Sequence, residues 1–214
     1  MPSSTQYGKL YSQLMLKKLF DAGAIRNVAD FGCGSGTYHD LLAAQMPGVT
    51  WTGIEVWEPY VEQFGLKEKY DRLIVQDSRR VDCAALAPVD LAIFGDMLEH
   101  MTREEAIALV DRARAVAPLV LISIPVVNYP QGPEFGNPYE AHVEENWDHE
   151  RIMRSFAGVT AFFIHDHIGV YILTGNETAS SQVNSLQAVI PELLHRQLPK
   201  DRMAWGTWQI QSYL

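Results

Sequence analysis

The sequence has few cysteines, no long apolar run and no cluster of basic residues, and each absence excludes a class of protein. Two cysteines among 214 residues, Cys33 and Cys83, are too few for a disulfide framework and predict reduced thiols in a cytoplasmic protein. An apolar run of about 18 residues is missing and the first residues are polar, so no membrane association is expected. Basic runs stop at two residues and the net charge is −9, so nucleic acid is not an expected partner.

Length and composition suit one globular domain. The chain has 214 residues, of which 47% are hydrophobic and 20% are charged. Alternating strand and helix patterns continue to about residue 175, so we predict a domain at 1–175 and an appendage at 176–214. Residues 183–197 have a helical pattern, and residues 203–210 are rich in aromatic side chains. The appendage would pack on the domain or form a homodimer interface.

Apolar periodicity and turn residues predict the other elements. A capping box of Thr102 and Glu105 marks one helix start, Asp148 marks another, and Pro59 follows the first residue of a third, which Gly65 would close. The predicted strands after the first are 49–54, 72–75, 89–94, 119–124, 160–165 and 170–174, and further helices are predicted at 7–21 and 37–46.

The stretch around which the rest of the chain is organised is a glycine-rich turn. An apolar run at 25–31 leads into Gly32, Gly34 and Gly36, and a helical pattern begins at once. Glycine lets the backbone turn sharply and approach a ligand, and the amides of the following helix start favour polar groups. A dinucleotide fingerprint would need a third glycine at position 37, where this chain has Thr37.

An acidic residue follows the second predicted strand. Glu55 stands about 20 positions after the glycines, where a carboxylate holds the two hydroxyls of a ribose in nucleotide-binding α/β proteins. Its two acceptor oxygens suit a vicinal diol. The next two residues, Val56 and Trp57, are expected to flank the adenine ring.

Two motifs carry a resemblance to a known family. Asp30-x-Gly32-x-Gly34-x-Gly36 and the segment 95–101, which reads Gly-Asp-Met-Leu-Glu-His-Met, resemble motifs of the class I (Rossmann-like) S-adenosylmethionine-dependent methyltransferases of small-molecule type. The resemblance covers residues 25–175. It implies a three-layer α/β sandwich with a seven-stranded, mostly parallel sheet whose last strand is antiparallel, and it implies S-adenosylmethionine as the cofactor.

The same resemblance assigns cofactor roles to named residues. An acid at Asp77 would accept from the adenine exocyclic amine, the amide of Ser78 would meet the ring, and the turn at Asp96 would lie beside the methionine moiety. The predicted cofactor-binding residues are Asp30, Phe31, Gly32, Cys33, Gly34, Gly36, Glu55, Val56, Asp77, Ser78, Asp96 and Met97.

The acceptor side is predicted in the long segment 125–147, which is rich in proline, glycine, asparagine and aromatic residues. Compact domains rarely keep so long a loop without a function. Within it, His142 is the candidate general base and Tyr139 a candidate substrate contact, although His142 could instead bind substrate or hold the loop. His100 is a second candidate near the substrate or a structural residue. Tyr11, or Tyr7, would cover the site if helix 7–21 forms a lid instead of a packing helix.

Some acceptors are excluded by missing motifs. No Asn/Asp-Pro-Pro-aromatic motif and no Pro-Cys nucleophile follows the fourth strand, and no His-x-x-x-His or Cys-x-x-Cys spacing occurs. These absences favour a metal-independent transfer to an oxygen or nitrogen of a small-molecule or glycan-type acceptor. The alternatives are an RNA-modifying enzyme that borrows affinity from a partner, a non-catalytic nucleotide-binding protein and a nicotinamide-dependent oxidoreductase.

Overall fold

The computed structural model describes residues 8–187, 189–190, 193–194 and 209–212. One mixed sheet runs through this part of the chain. Its strands are β1 (Asn27–Phe31), β2 (Thr50–Glu55), β3 (Arg72–Val75), β4 (Leu91–Gly95), β5 (Leu119–Pro125), β6 (Val159–His165), β7 (Ile168–Thr174) and β8 (Gln209–Ser212). In space they follow the order β3-β2-β1-β4-β5-β7-β6-β8.

The strands from β3 to β5 are parallel, and β7 is antiparallel to both of its neighbours. The predicted seven-stranded α/β fold is therefore confirmed. The structure adds an eighth strand, β8, which lies in the predicted appendage and pairs antiparallel with β6. Residues 203–208 of the aromatic-rich stretch lie outside the described residues, as does Tyr7.

Helices cover both faces of the sheet. They are α1 (Lys9–Asp21), α2 (Thr37–Leu42), α3 (Glu58–Gln63), α4 (Leu66–Lys69), α5 (Arg103–Arg114), α6 (His149–Ser155) and α7 (Glu177–Leu186). Short 3-10 turns add Ala43–Gln45, Ser78–Arg80, Cys83–Leu86, Leu98–His100 and Pro138–Glu140. Among the described residues no helix is long and apolar enough to cross a membrane.

Most helix starts lie where the sequence predicts them. The capping box of α5 is confirmed, because the Glu105 amide donates to Thr102 and the Thr102 amide donates to the Glu105 carboxylate. Asp148 caps α6 by accepting from the Arg151 amide at 2.7 Å. Gly65 does separate two helices, but α4 follows at once. The helix predicted at 183–197 overlaps α7, which begins earlier, at Glu177, after an Asn176 cap and ends at Leu186; residues 195–197 of the prediction lie outside the described residues.

The core has two layers, one on each face of the sheet. Alternate strand residues enter opposite layers, so Leu119 and Leu121 pack with α1, α2 and α7, whereas Val120 and Ile122 pack with α5 and α6. Every residue of β5 is buried, as expected for a strand covered on both faces.

The order of the strands places the site. The chain leaves β1 towards β2 on one side and returns to β4 on the other, so a crevice opens between the carboxyl ends of β1 and β4. Open α/β sheets bind ligands in this kind of crevice.

Candidate functional site

A cavity of about 260 Å³ occupies the crevice at the carboxyl ends of β1, β2, β4 and β5. The long segment 125–147 forms its outer wall. The predicted site residues that line it are Asp30, Gly32, Cys33, Gly34, Glu55, Val56, Asp77, Ser78, Asp96, Met97, His100, Tyr139 and His142. Thirteen predicted residues, scattered over more than a hundred positions of sequence, therefore face one space.

The three glycines of the turn are needed for different reasons. All three have positive φ angles. A Cβ at Gly32 would lie 3.0 Å from the Met97 side chain, and one at Gly36 would meet the Lys69 side chain. Gly34 lines the cavity, and a Cβ built on it would find no atom nearer than 3.9 Å. The space in front of Gly34 is thus the room in which a ligand would meet the backbone.

Glu55 is buried at the end of β2 and is held by the backbone. Its Oε2 accepts from the Gly34 amide and its Oε1 from the Trp57 amide, each at 2.8 Å. Burial raises the pKa of Glu55, and these backbone donors partly oppose the shift. Each carboxylate oxygen keeps a further lone pair for a donor in the cavity. The two amides therefore fix the orientation of the carboxylate.

Asp77 forms a close ion pair next to the cavity. Its Oδ2 accepts from Nη2 of Arg79 at 2.6 Å and its Oδ1 from the Arg79 amide at 2.9 Å. Hydrogen bonds from Arg79 hold the pKa of Asp77 below its ordinary value. Asp77 is thus an anion at neutral pH, and Arg79, which the sequence interpretation overlooked, is a second polar group at this end of the cavity.

Asp30 lies beneath the glycine turn and is almost fully buried. Its Oδ2 accepts from the Tyr70 hydroxyl at 2.6 Å. Burial raises the pKa of Asp30 to about 7, against the opposing effects of Tyr70 and Lys9. Burial also raises the pKa of the neighbouring Cys33 thiol, which makes Cys33 a poor nucleophile.

Asp96 lies at the end of β4 in a left-handed conformation, with φ 54°. Its Oδ1 accepts from the Ser123 hydroxyl at 2.7 Å, and its Oδ2 pairs with Nζ of Lys9 at 3.1 Å. Nζ of Lys9 also donates to the Tyr38 hydroxyl at 3.1 Å. Although burial opposes the charged ammonium, Tyr38 and Asp96 raise the pKa of Lys9 above its ordinary value. A residue of α1 thereby fixes the turn in which the resemblance places the methionine moiety.

The long segment is tied to the rest of the site by polar contacts. The Tyr60 hydroxyl donates to the Glu140 carboxylate at 2.9 Å, and the amides of Val143 and Glu144 donate to the Glu99 carbonyl. Tyr139 is 44% exposed, with its ring centroid 6.2 Å from that of Trp57. The segment is thus a fixed wall of the cavity.

Two histidine rings meet at this wall. The centroids of His100 and His142 are 4.9 Å apart and the rings meet edge to face. Nδ1 of His142 lies 2.6 Å from the Tyr129 carbonyl oxygen, and Nδ1 of His100 lies 3.2 Å from that of Ala141. A carbonyl oxygen only accepts, so each Nδ1 carries the proton and each Nε2 keeps a free lone pair. Burial lowers the pKa of His142, which keeps this ring neutral.

Three predicted site residues lie elsewhere. Tyr11 is fully buried in the core, where its ring stacks on Phe163 at 5.0 Å, so α1 is a packing helix at this position and Tyr11 does not reach over the site. The Phe31 side chain lies in the core layer that α5 and α6 cover, where it stacks on Phe94. Gly36 caps the start of α2 and is not among the residues that line the cavity.

Lys9 and Glu99 were not among the predicted site residues. Nothing near Lys9 in the sequence distinguishes it from other helix lysines, since its partner Asp96 is 87 positions away. Glu99 stands inside the quoted motif beside His100 and could have been found there. Its side chain is buried against the cavity, and the sequence alone does not show this.

Residues 29–119 match the family described as "Methyltransferase domain". No curated protein sequence matches the chain significantly.

Solved methyltransferase structures share the fold at low sequence identity. The N-terminal domain of EvdMO1, solved with SAH bound, has a TM-score of 0.61 at 16% identity, over 78% of this chain and 81% of that one. An S-adenosylmethionine-dependent methyltransferase from Clostridium acetobutylicum has a TM-score of 0.58 at 10% identity, over 79% and 92%. The magnesium protoporphyrin IX methyltransferase ChlM of Synechocystis, solved with SAM bound, has a TM-score of 0.51 at 16% identity, over 81% and 87%.

Proposed function

We propose that this chain, a class I S-adenosylmethionine-dependent methyltransferase, transfers the methyl group of S-adenosylmethionine to an oxygen or nitrogen of a small-molecule or glycan-type acceptor. S-adenosylmethionine is its cofactor. The observation that carries the acceptor side of the proposal is one continuous cavity with two chemically different ends. Gly34 and Glu55 are joined at one part of its lining, here called the cofactor end, and His100 and His142 meet at another, here called the acceptor end.

The cofactor end has acceptors where a nucleoside presents donors. Glu55 offers two preoriented carboxylate oxygens to the ribose hydroxyls, and the anionic Asp77 offers an acceptor to the adenine amine. A cationic sulfonium is also favoured by acidic groups that line the cavity, among them Asp77 and Asp96. The buried Lys9 partly balances this negative charge.

The acceptor end suits a group that must lose a proton. The methyl donor is already activated, so the protein has to align donor and acceptor and to exclude water. His142 presents an unprotonated Nε2 at this end, because its Nδ1 donates to the Tyr129 carbonyl. We assign to His142 the role of the general base that receives the proton of the acceptor group. We assign to Tyr139 a contact with the rest of the acceptor molecule.

The size and charge of the site favour a small acceptor. A cavity of about 260 Å³ in a protein of net charge −9 is a poor match for a polyanionic strand. An RNA-modifying enzyme that depends on a partner subunit remains the alternative. A non-catalytic binding protein would need only the cofactor end, whereas this cavity continues to the histidines.

The proposal also covers the cellular location and the oligomeric state. Cys33 and Cys83 are free and buried, and we propose a reducing compartment, the cytoplasm, as the location. The interface of the proposed homodimer would lie at the C-terminal residues. Within the domain itself, α7 contacts α1 and β8 extends the sheet at β6.

The decisive experiment is a transfer assay with methyl-labelled S-adenosylmethionine on fractionated extract. We expect label in the low-molecular-weight or glycan fraction and none in total RNA, and a Glu55→Ala variant serves as the cofactor-binding control. Label in RNA alone would favour the alternative. Binding of cofactor without transfer to any fraction would contradict catalysis.

A further inference from the structure

The motif residues Glu99 and His100 meet His142 of the long segment at the acceptor end of the cavity. Each of the three offers one ligand atom, and these atoms all lie within 4.8 Å of one another. The sequence interpretation predicted no metal because none of the familiar spacings occurs. The group forms only when the long segment folds back over the end of β4.

The Glu99 carboxylate has an unsatisfied oxygen. Its side chain is buried, with the residue 3% exposed, it lines the cavity, and its Oε2 has no hydrogen-bond partner among the described residues. Buried polar atoms in folded proteins are almost always paired, so such an atom calls for an explanation. A ligand that supplies positive charge or a donor at this point would provide one.

The two imidazoles are arranged as metal-binding histidines are. Each Nδ1 donates to a backbone carbonyl, of Tyr129 for His142 and of Ala141 for His100, which fixes the tautomer and leaves Nε2 as the coordinating atom. A hydrogen bond from the other ring nitrogen is the usual second-shell partner of a metal-ligating histidine. The cluster therefore brings together two imidazoles and one carboxyl group with no hydrogen bond among them.

We propose that Glu99, His100 and His142 bind one divalent first-row transition-metal ion at the acceptor end of the cavity. Two imidazoles and one carboxylate suit ions such as Zn²⁺, Mn²⁺, Fe²⁺ or Co²⁺ better than Ca²⁺. Two ligand atoms that are each about 2.1 Å from an ion, at right angles to each other, are about 3 Å apart. The ligand atoms of this cluster lie within 4.8 Å of one another, so they would have to move about one to two ångströms closer together to bind the ion. Three protein ligands leave coordination positions open towards the cavity.

The inference rests on the proposed function and changes what His142 does in it. An acceptor hydroxyl bound to the ion would have a lowered pKa and would lose its proton to water. The alkoxide oxygen then forms a bond to the methyl carbon as the carbon–sulfur bond breaks. The electron pair stays on sulfur and leaves a neutral thioether. His142 would act as a ligand of the ion and not as the direct proton acceptor, and the acceptor atom would be oxygen.

Metal binding can be measured without any transfer assay. Protein stripped with a chelator is titrated with Co²⁺, whose visible absorption reports on coordination by nitrogen and oxygen. We expect one equivalent to bind to the wild-type chain, and at least ten-fold weaker binding in His142→Ala and in Glu99→Gln. His149→Ala is the matched control, because His149 is equally half-buried, lies seven positions away and contacts Tyr171 instead of the cavity.

Calorimetry with S-adenosylmethionine and circular dichroism on the same samples separate the two proposals. Unchanged cofactor affinity and melting temperature in the variants would show that only the ion site was lost. Absence of a bound equivalent in the folded wild-type chain, or equal binding in His142→Ala, would overturn the metal site. Co²⁺ binding by a chain that does not bind S-adenosylmethionine would support the ion site and refute the proposed function.

Discussion

The two ends of the cavity are built in different ways. At the cofactor end, the groups are backbone amides and strand-end acids, and the central hydrogen bond joins Gly34 to Glu55 at the ends of adjacent strands. At the acceptor end, His100 from the motif after β4 and His142 from the long segment meet across the fold. The residues of the cofactor end can be predicted from short sequence motifs. The contacts of the acceptor end are visible only in the tertiary structure.

This difference has a consequence for substitutions. Changes at the cofactor end should reduce affinity for S-adenosylmethionine, whereas changes at the acceptor end should reduce the transfer rate at constant cofactor affinity. The following experiments test that separation.

The largest effect is expected at the glycine turn. A Gly34→Val side chain would enter the space that the ligand needs, so cofactor affinity should fall by about a hundred-fold or more while the sheet stays folded. Gly23→Val is the matched control, because Gly23 also has a positive φ and open space around its Cβ position but lies outside the cavity. Calorimetry measures affinity, and wild-type affinity in Gly34→Val would refute the proposed ligand position.

A large effect on rate is expected at the other end. His142→Ala should reduce the transfer rate by about two orders of magnitude, because the group that acts on the acceptor is lost. Cofactor affinity should be unchanged, since the hydrogen bond of His142 goes to Tyr129 and not to Glu55 or Asp77. Single-turnover kinetics on the folded variant provide the test. A fall in melting temperature with full turnover per folded molecule would instead make His142 a residue that only holds the long segment.

A moderate effect is expected at Glu55. Glu55→Ala should weaken S-adenosylmethionine binding by about 1–3 kcal/mol, which corresponds to the loss of charge-assisted hydrogen bonds to the ribose. Glu62→Ala, at an exposed position of α3, controls for the change of net charge. Equal affinities of both variants and the wild-type chain would mean that Glu55 only ties the glycine turn to β2.

The smallest effect is a change in the pH dependence of stability at Asp30. The pKa of Asp30 is about 7 in the folded protein and near 4 in the unfolded chain, so ionisation is costlier in the folded state. The free energy of unfolding should therefore fall as pH rises from about 4 to about 7, with a slope of at most about 1.4 kcal/mol per pH unit from this group. Lys9 and Glu55 are the charged groups that face it.

Asp30→Asn should flatten this part of the pH profile while keeping an acceptor for the Tyr70 hydroxyl. Denaturant titrations between pH 5 and pH 8 measure the profile. Asp111→Asn on the exposed side of α5 is the control and should leave it unchanged. A parallel profile for Asp30→Asn would mean that Asp30 ionises as an ordinary carboxyl.

Sequence patterns anticipated the fold and many of the residues that line the cavity. Strand β3 lies at the predicted residues, the capping box of α5 is present, and Gly34 and Glu55 lie where the turn and strand end place them. The sequence predicted fewer of the contacts between residues that are far apart in the chain. Tyr11 shares its helix with Lys9, but Tyr11 lies in the core and Lys9 reaches the site, and the apolar pattern of α1 does not separate them.

The sequence by itself determined the strand–turn–helix around Gly34, the acid at the end of β2 and the burial of β5 on both faces. Those features depend on backbone preferences and on periodicities of a few residues, which a linear sequence displays directly. Only the tertiary structure decided that Lys9 pairs with Asp96 and that Glu99 and His100 meet His142. Such contacts form between residues that are far apart in the sequence, and they depend on how the chain folds and on which polar groups are buried next to each other. No short stretch of the sequence shows either of these.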